Sequence, residues 1–495
     1  MTRELFLGSE PWLFPSLSPA VAAFMRVGLG VLMLLTLLRA IPLARWYFIS
    51  ERWGGYGERG WRVDLIQNPI VLPLLYLAWI AANIGLVVGR MTVVAAGVNL
   101  LFAYYFFIAM RWRGVLRGMG APGFIAFWLS AAVCFLEATA HYAPSMQGLV
   151  IFVFQIDFAL IMMAAGLYKF VAGYRHGEGM ELGMVNPEWG YWGAFWARFS
   201  PASPLFRLFN EMAWGTEVVA ATLMLLPPTR SLGGAIMLLS FIFIGSQIRL
   251  GFLCEMVMVC CCIFFQPGSA GDALITAMMP ATAITPVLTA PNWAVAAVTV
   301  FLWAYVLLLP VARVGLSYNL IKKRALPGWL QPLLDVYTNL FGLILWRVFS
   351  ADHTNFLINI YETSADGSRR LISSWTKIWR YHHRFNQVAE GITVTTLFTT
   401  LKYYPSNQQI FRDRLLRYSR TVPRQAGNGL VYEYVAVIKM PDRFDLRPIA
   451  EFVVDVEREL IEEITLDPTR SIRAPIAASP VHEAARPGTY APLKG

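Results

Sequence analysis

The chain has 495 residues, of which 57% are hydrophobic and 15% charged, with a formal net charge of +10 and a mean hydropathy of +0.51. Soluble domains carry nearer about a quarter charged residues, and several apolar runs here reach the roughly 20 residues that a bilayer requires, so a soluble globular chain is excluded. The positive charge is spread over loops and tail without dense basic clusters, which argues against a nucleic-acid binder.

The expected architecture is an all-α polytopic membrane bundle of about nine spans followed by a small α+β extramembrane domain. The first apolar stretch, from Ala20 to Leu38, lacks a small-residue cleavage site after a short apolar core. It reads as a retained span rather than a removed signal peptide. Spans are predicted over residues 19–40, 69–88, 91–110, 120–140, 148–170, 211–227, 231–247, 250–266 and 291–312. The stretch 271–289 is apolar but interrupted by Pro280 and Pro286, and reads as interfacial or re-entrant. The bundle ends near residue 326, and 327–349 reads as an interfacial helix.

Residues 350–466 form the polar domain. Strands are expected over 355–362 and 370–375, joined at Asp366-Gly367, a good hairpin turn. Residues 391–404 and 430–440 are rich in β-branched and aromatic types and also read as strands, with a helix over 407–418 between them. Residues 452–466 fit strand or helix equally. From 467 onward five prolines mark a disordered tail.

With nine spans, alternate loops share a side. One side collects Arg39, Arg45, Arg52, Arg111, Arg113, Arg117, Arg175, Arg249, Arg313 and Arg324 among its basic residues, and the other little beyond Arg3, Arg90 and Arg230. Basic loops are retained inside, so the charge rule places the C-terminal domain in the cytoplasm of a cell whose inner membrane the chain crosses.

Ionisable residues within the predicted spans are few: Arg26, Glu137, Asp157, Lys169, Glu217, Arg249 and Glu255. Each is expensive against lipid and should face protein or a wet cavity. Lys169 ends the run Ala164-Ala165-Gly166-Leu167-Tyr168-Lys169. It either snorkels to the interface or serves as a functional lysine at the mouth of a membrane cavity. Asp157 lies about 18 Å along the helix from it, too far to be its partner. Glu217, Glu255 and Arg249 remain as candidates, and the whole set also reads as a network of buried ion pairs that orders the bundle. Cys134, Cys254, Cys260, Cys261 and Cys262 lie in apolar stretches without metal-ligand spacing. His382-His383 reads as part of a solvated basic face, and His353 as a turn or cap where bundle gives way to domain. No phosphate loop, zinc-protease motif or nucleophile elbow is present.

The order of these features resembles the horizontally transferred transmembrane domain family, the family of the vitamin K-dependent gamma-carboxylase. The resemblance rests on residues 18–30 of the first span with Arg26, on Gln155 through Lys169, on Gly177-Glu178-Gly179-Met180, and on Thr229 to Gly233 followed by Gly245-Ser246-Gln247. It covers about residues 19–266 and implies that Lys169 matches the carboxylase's active-site lysine, with a vitamin K-type quinone as cofactor. The residues themselves name no cofactor. The chain departs from the pattern where the carboxylase has an Asn-Asn-His cluster, reading Arg111 to Gly118 instead, and Phe241-Ile242-Phe243-Ile244 stands where the family has a histidine. The resemblance also implies a periplasmic C-terminal domain, against the charge rule.

These readings lead to a divergent, non-carboxylating member acting as a scaffold or accessory subunit, with membrane lipid and a protein docked on 350–466 as partners. The alternative is a membrane enzyme with Lys169 as general base on a lipophilic or peptide substrate, and Glu217 or Glu255 as electrostatic partner. A transporter ranks third, because no inverted repeat supports one.

Overall fold

The computed structural model describes residues 14–110, 120–279, 289–322, 325–344, 346, 351–373, 385–403, 407–470 and 472. Arg111, Arg113, Arg117, Pro280, Pro286, Arg324, His382, His383 and the tail beyond 472 lie outside them. The chain is a helical bundle that carries a five-stranded antiparallel sheet domain at its C-terminal end.

Helix α1, Pro19–Tyr47, starts at Ser18, whose hydroxyl accepts the Val21 amide at 3.2 Å, with Pro19 in the first turn. There follow α2 (Val71–Val88), α3 (Thr92–Ala103, continued by a π-helical turn, Tyr104–Ala109), α4 (Gly120–Tyr142) and α5 (Gln147–Val171). The short α6 (Met180–Val185) leads into α7 (Pro204–Leu225), α8 (Arg230–Gln247) and α9 (Leu253–Cys261). Last come α10 (Ala270–Met278), α11 (Asn292–Lys322) and α12 (Leu330–Leu340).

Seven helical segments are long and apolar enough to cross a membrane: 19–42, 71–88, 92–109, 122–142, 144–176, 227–247 and 292–319. Two predicted spans fall outside that set for different reasons. Helix α7 has 22 residues but carries Arg207, Glu211 and Glu217. The apolar segment Leu253–Phe264 is short, about 18 Å at the helical rise.

Hydrogen bonds fix which segments end together. The loop after α1 reaches the sheet domain, and so does the loop after α5. Helix α8 also ends there, since Arg249 N donates to Trp189 O at 2.7 Å. At the opposite end, Ser18 Oγ meets Asp272 of α10, Gln266 N donates to Ser231 Oγ at 3.1 Å, and Ala290 N donates to Tyr142 O at 2.8 Å.

Helix α11 runs ten residues past the predicted end of the last span at 312. Arg313, read from sequence as a loop residue, is therefore a buried helical one. The predicted interfacial helix over 327–349 is shorter, Leu330–Leu340, with Leu330, Leu333, Val336 and Leu340 on its exposed face.

In the domain, β1 (Phe356–Thr363) and β2 (Arg369–Ser373) form the expected hairpin. Gly367 takes φ 81°, and its amide donates to Ser364 O at 2.9 Å. The expected strand over 391–404 is helical through 403, its last described residue: α13 spans Phe385–Tyr403. Val394, Leu397, Phe398 and Leu401 fall at helical spacing and pack on the sheet, while Thr399 and Thr400 turn their hydroxyls back to Thr396 and Leu397 carbonyls. The apolar period thus overrides the β-branched composition. Helix α14, Gln408–Thr421, matches the expected helix. Strand β3 is Gly429–Lys439, and the undecided stretch resolves as the end of β4 (Phe444–Asp455) turning into β5 (Leu460–Thr465). The order is β2-β1-β3-β4-β5.

The domain is seated on two loops of the bundle. Tyr56 joins the domain's own core and meets Tyr418 edge-on at 6.2 Å. Asn186 Nδ2 donates to the carbonyls of Thr354 and Phe356, both at 2.8 Å, and Phe206 meets Phe444 edge-on at 5.8 Å. Trp189 Nε1 donates to His353 O at 3.3 Å, so His353 does lie at the handover.

Glu188 is buried at this junction, where Thr395 Oγ1 donates to it at 2.6 Å. Burial pushes its carboxyl up to about 8, and the threonine bond only partly offsets that. The folded state therefore holds a proton that the unfolded chain releases at the ordinary carboxyl value, and stability falls as pH rises toward about 8. Between pH 5 and 8 the melting temperature in detergent is expected to fall, and Glu188→Gln should flatten that slope. An unchanged slope in the variant would show that Glu188 does not carry the proton.

Candidate functional site

Helices α5 and α7 approach each other closely where Gly166 stands. A Cβ there would lie 2.9 Å from Trp214 O and 2.8 Å from the Val218 side chain. Glu217 stands at this same level, its Cβ 3.1 Å from that position, and Lys169 one turn further along α5 faces it, with Nζ 2.5 Å from Oε1. Each side chain is 2% exposed. Lys169 thus does not snorkel, and of its three candidate partners the structure joins it to Glu217. Glu217 Oε2 has no hydrogen-bond partner among the described residues. In lipid an unpaired ammonium costs several kcal/mol, which explains why the pair forms where backbone contact is closest.

Glu255 is elsewhere. It lines a cavity of about 710 Å³ between α1, α8, α9 and α10, among Phe24, Val31, Leu238, Met258 and Leu274. Arg249 points to the domain-side loop, where its Nη1 donates to Pro187 O at 2.8 Å and its guanidinium lies 5.0 Å from the Tyr191 ring centre.

The segment after Lys169 leads to the domain. Gly173 (φ 107°) and Gly177 (φ 76°) bracket a single 3₁₀ turn, and Gly179 N donates to both Glu181 carboxylate oxygens at 3.2 Å. Asn210, two turns before Glu217 on α7, donates to Glu181 Oε2 at 2.8 Å and accepts from Met180 N at 2.7 Å. The fully buried Glu181 also pairs with Lys439 of β3, which bonds Gly177 O as well. One face of α7 therefore holds both the membrane pair and the loop that grips the domain.

Two further pairs lie within the bundle. Arg26 of α1 meets Glu137 of α4 at 3.3 Å. Asp157 of α5 meets Arg313 of α11 at 3.2 Å, and its Oδ2 accepts from Trp128 Nε1 at 3.1 Å and Tyr305 OH at 2.8 Å. Asp157 is thus not a partner of Lys169, as the helical rise indicates. A fourth polar knot is uncharged: Asn99 accepts from Trp79 Nε1 (2.7 Å) and Asn83 (3.1 Å), and donates to Ser130 Oγ (2.8 Å), joining α2, α3 and α4.

Sequence reasoning missed Arg313 and Tyr305 as site residues. The signal was available: the apolar run continues past Pro310, and Tyr305 and Arg313 are eight residues apart, on one helical face. Among the described residues no cluster of His, Cys, Asp and Glu could hold a metal ion, and all five cysteines are free thiols.

No family profile, curated protein or solved structure matches this chain.

Close approach at Gly166 is the condition for the Lys169–Glu217 contact. Gly166→Leu should cost about 1–3 kcal/mol or more of stability through overpacking, read as a lower melting temperature in detergent. Gly215→Ala, which adds a Cβ with nothing within 4 Å, should leave it unchanged. Equal effects of the two substitutions would contradict this packing.

Proposed function

We propose that the chain is a multi-pass inner-membrane protein that acts as a scaffold or accessory subunit, a divergent non-carboxylating relative of the horizontally transferred transmembrane domain family. The observation that carries this reading is the closure of the lysine site. Lys169 and Glu217 neutralise each other, each is 2% exposed, and neither lines the cavity that holds Glu255. A general base needs a free electron pair within reach of substrate, and a lysine sealed against a carboxylate offers neither. The pair then serves as a joint between α5 and α7, and residues 350–466 present a docked domain to a protein partner.

Counting α7 and the Leu253–Phe264 segment with the seven membrane-length helices gives nine crossings in this reading. The path alternates between the domain end and the opposite end through α1 to α5, then α7, α8, the Leu253–Phe264 segment and α11, while α10 stays at the far end with Ser18. The domain touches the loops after the first and fifth spans, which requires an even number of crossings after α5. In this reading the charge rule favours the cytoplasm for that end. The carboxylase-like orientation would instead place it in the periplasm.

A second reading is a membrane enzyme using Lys169, and the unpartnered Glu217 Oε2 beside it favours that reading. It brings a vitamin K-type quinone only through the family resemblance.

Solubilised in mild detergent from native membranes, the tagged protein is expected to retain a stoichiometric protein partner. Recovery as a lone chain with a bound small molecule would favour the enzyme. In a cysteine-free variant, single cysteines at Glu58 and Ala365 should resist an impermeant thiol reagent on intact cells, while one at Arg90 should react. Labelling at both Glu58 and Ala365 would reverse the orientation, and labelling at only one would break their shared side.

A further inference from the structure

A cavity of about 550 Å³ opens between α3, α4, α5, α11 and α12, and aromatic side chains dominate its wall. Its mouth is formed by Leu101, Phe301 and Leu340, which are 64%, 43% and 51% exposed. Leu101 and Phe301 belong to membrane-length helices, so the opening faces the acyl chains of the bilayer rather than water. The volume lies within the range of small-molecule sites, roughly 300–1,000 Å³.

One charged side chain lines this cavity. Asp157 is 2% exposed, and three donors already reach it: Arg313 Nη2 on Oδ1, and Trp128 Nε1 and Tyr305 OH on Oδ2. Tyr305 O in turn accepts from Tyr337 OH at 2.8 Å. A carboxylate offers about four acceptor positions, so Oδ1 retains one. Trp128 Nε1 and Tyr305 OH, the donors that line the floor, are both spent on Asp157 Oδ2, and Oδ1 remains there as an acceptor. Tyr104 adds a hydroxyl that can serve in either role.

We propose that this cavity binds an uncharged, single-chain lipid alcohol, its chain against the aromatic wall and its hydroxyl donating to Asp157 Oδ1. The chemistry disfavours the neighbouring classes. A ketone or ester oxygen finds no free donor beside Asp157, where Trp128 and Tyr305 are already engaged, and has only the Tyr104 hydroxyl on the wall to accept from. A fatty-acid anion brings a second negative charge beside a carboxylate that Arg313 has already neutralised, and an amine brings a cation with no counter-charge to meet it. The proposal is independent of the scaffold reading, because the cavity shares no residue with the Lys169–Glu217 joint.

The test is equilibrium binding of radiolabelled 1-hexadecanol to the full chain in phosphatidylcholine nanodiscs, against hexadecyl methyl ether and palmitate. Empty nanodiscs are the reference for partition into lipid. One saturable site per chain is expected for the alcohol, with the ether and the acid weaker by about tenfold or more, the value of a lost hydrogen bond to a charged group. Gly97 lines the cavity, and a Cβ placed there meets nothing within 4 Å. Gly97→Leu should therefore abolish binding without lowering the melting temperature, and Ala131→Phe fills the same space from α4. Binding of the ether or palmitate as strong as that of the alcohol overturns the proposal. So does wild-type affinity in a folded cavity-filling variant, or uptake no greater than that of empty nanodiscs.

Discussion

A charge placed in a bilayer is costly unless its partner is placed with it, and that constraint shapes this bundle. The three pairs Arg26–Glu137, Asp157–Arg313 and Lys169–Glu217 join α1 to α4, α5 to α11 and α5 to α7. Helix α5 takes part in two of them. Apolar packing gives helices in lipid little reason to choose one neighbour over another, since lipid tails are as apolar as leucine. The pairs supply the choice. Helix α11 shows this most clearly, because only 17% of its membrane-length window is buried, and Arg313 and Tyr305 both reach back to Asp157.

Helix α5 also connects membrane and domain. The Lys169 end of α5 runs into the Gly173–Gly179 segment, and Glu181 just beyond binds Asn210 of α7 and Lys439 of the sheet. Asn210 and Glu217 share one face of α7, so the placement of that helix sets both contacts. Any change that separates α5 from α7 should be felt where the domain is seated. Gly166 lets the helices meet, and Gly179 lets the loop pass Asn210 Oδ1, which a Cβ would approach to 2.4 Å.

Much of this was legible in the sequence, for identifiable reasons. Long apolar runs announce the bundle, and Asp366-Gly367 announces the first hairpin. Lys169 and Glu217 stand out because charge is rare in their surroundings. What stayed hidden depends on partners far apart in the chain. Arg313 looked like a loop residue because an arginine after Pro310 resembles a span's end, and only Asp157, 156 positions away, makes it an interior one. Residues 391–404 read as a strand because β-branched and aromatic residues, threonine above all, dominate, yet their apolar members repeat at helical spacing. Glu255 qualified as a partner of Lys169 by charge alone, and its place in a separate cavity could not be read without the packing of α9 against α1.

The central claim is that Lys169 and Glu217 act as a structural joint, and a double-mutant cycle in detergent tests it most directly. Lys169→Met and Glu217→Leu, each alone, strand a buried charge and should each cost about 3–5 kcal/mol, whereas the double variant should recover most of that loss. Small and additive effects of the two single substitutions, with the double no better than their sum, would contradict it.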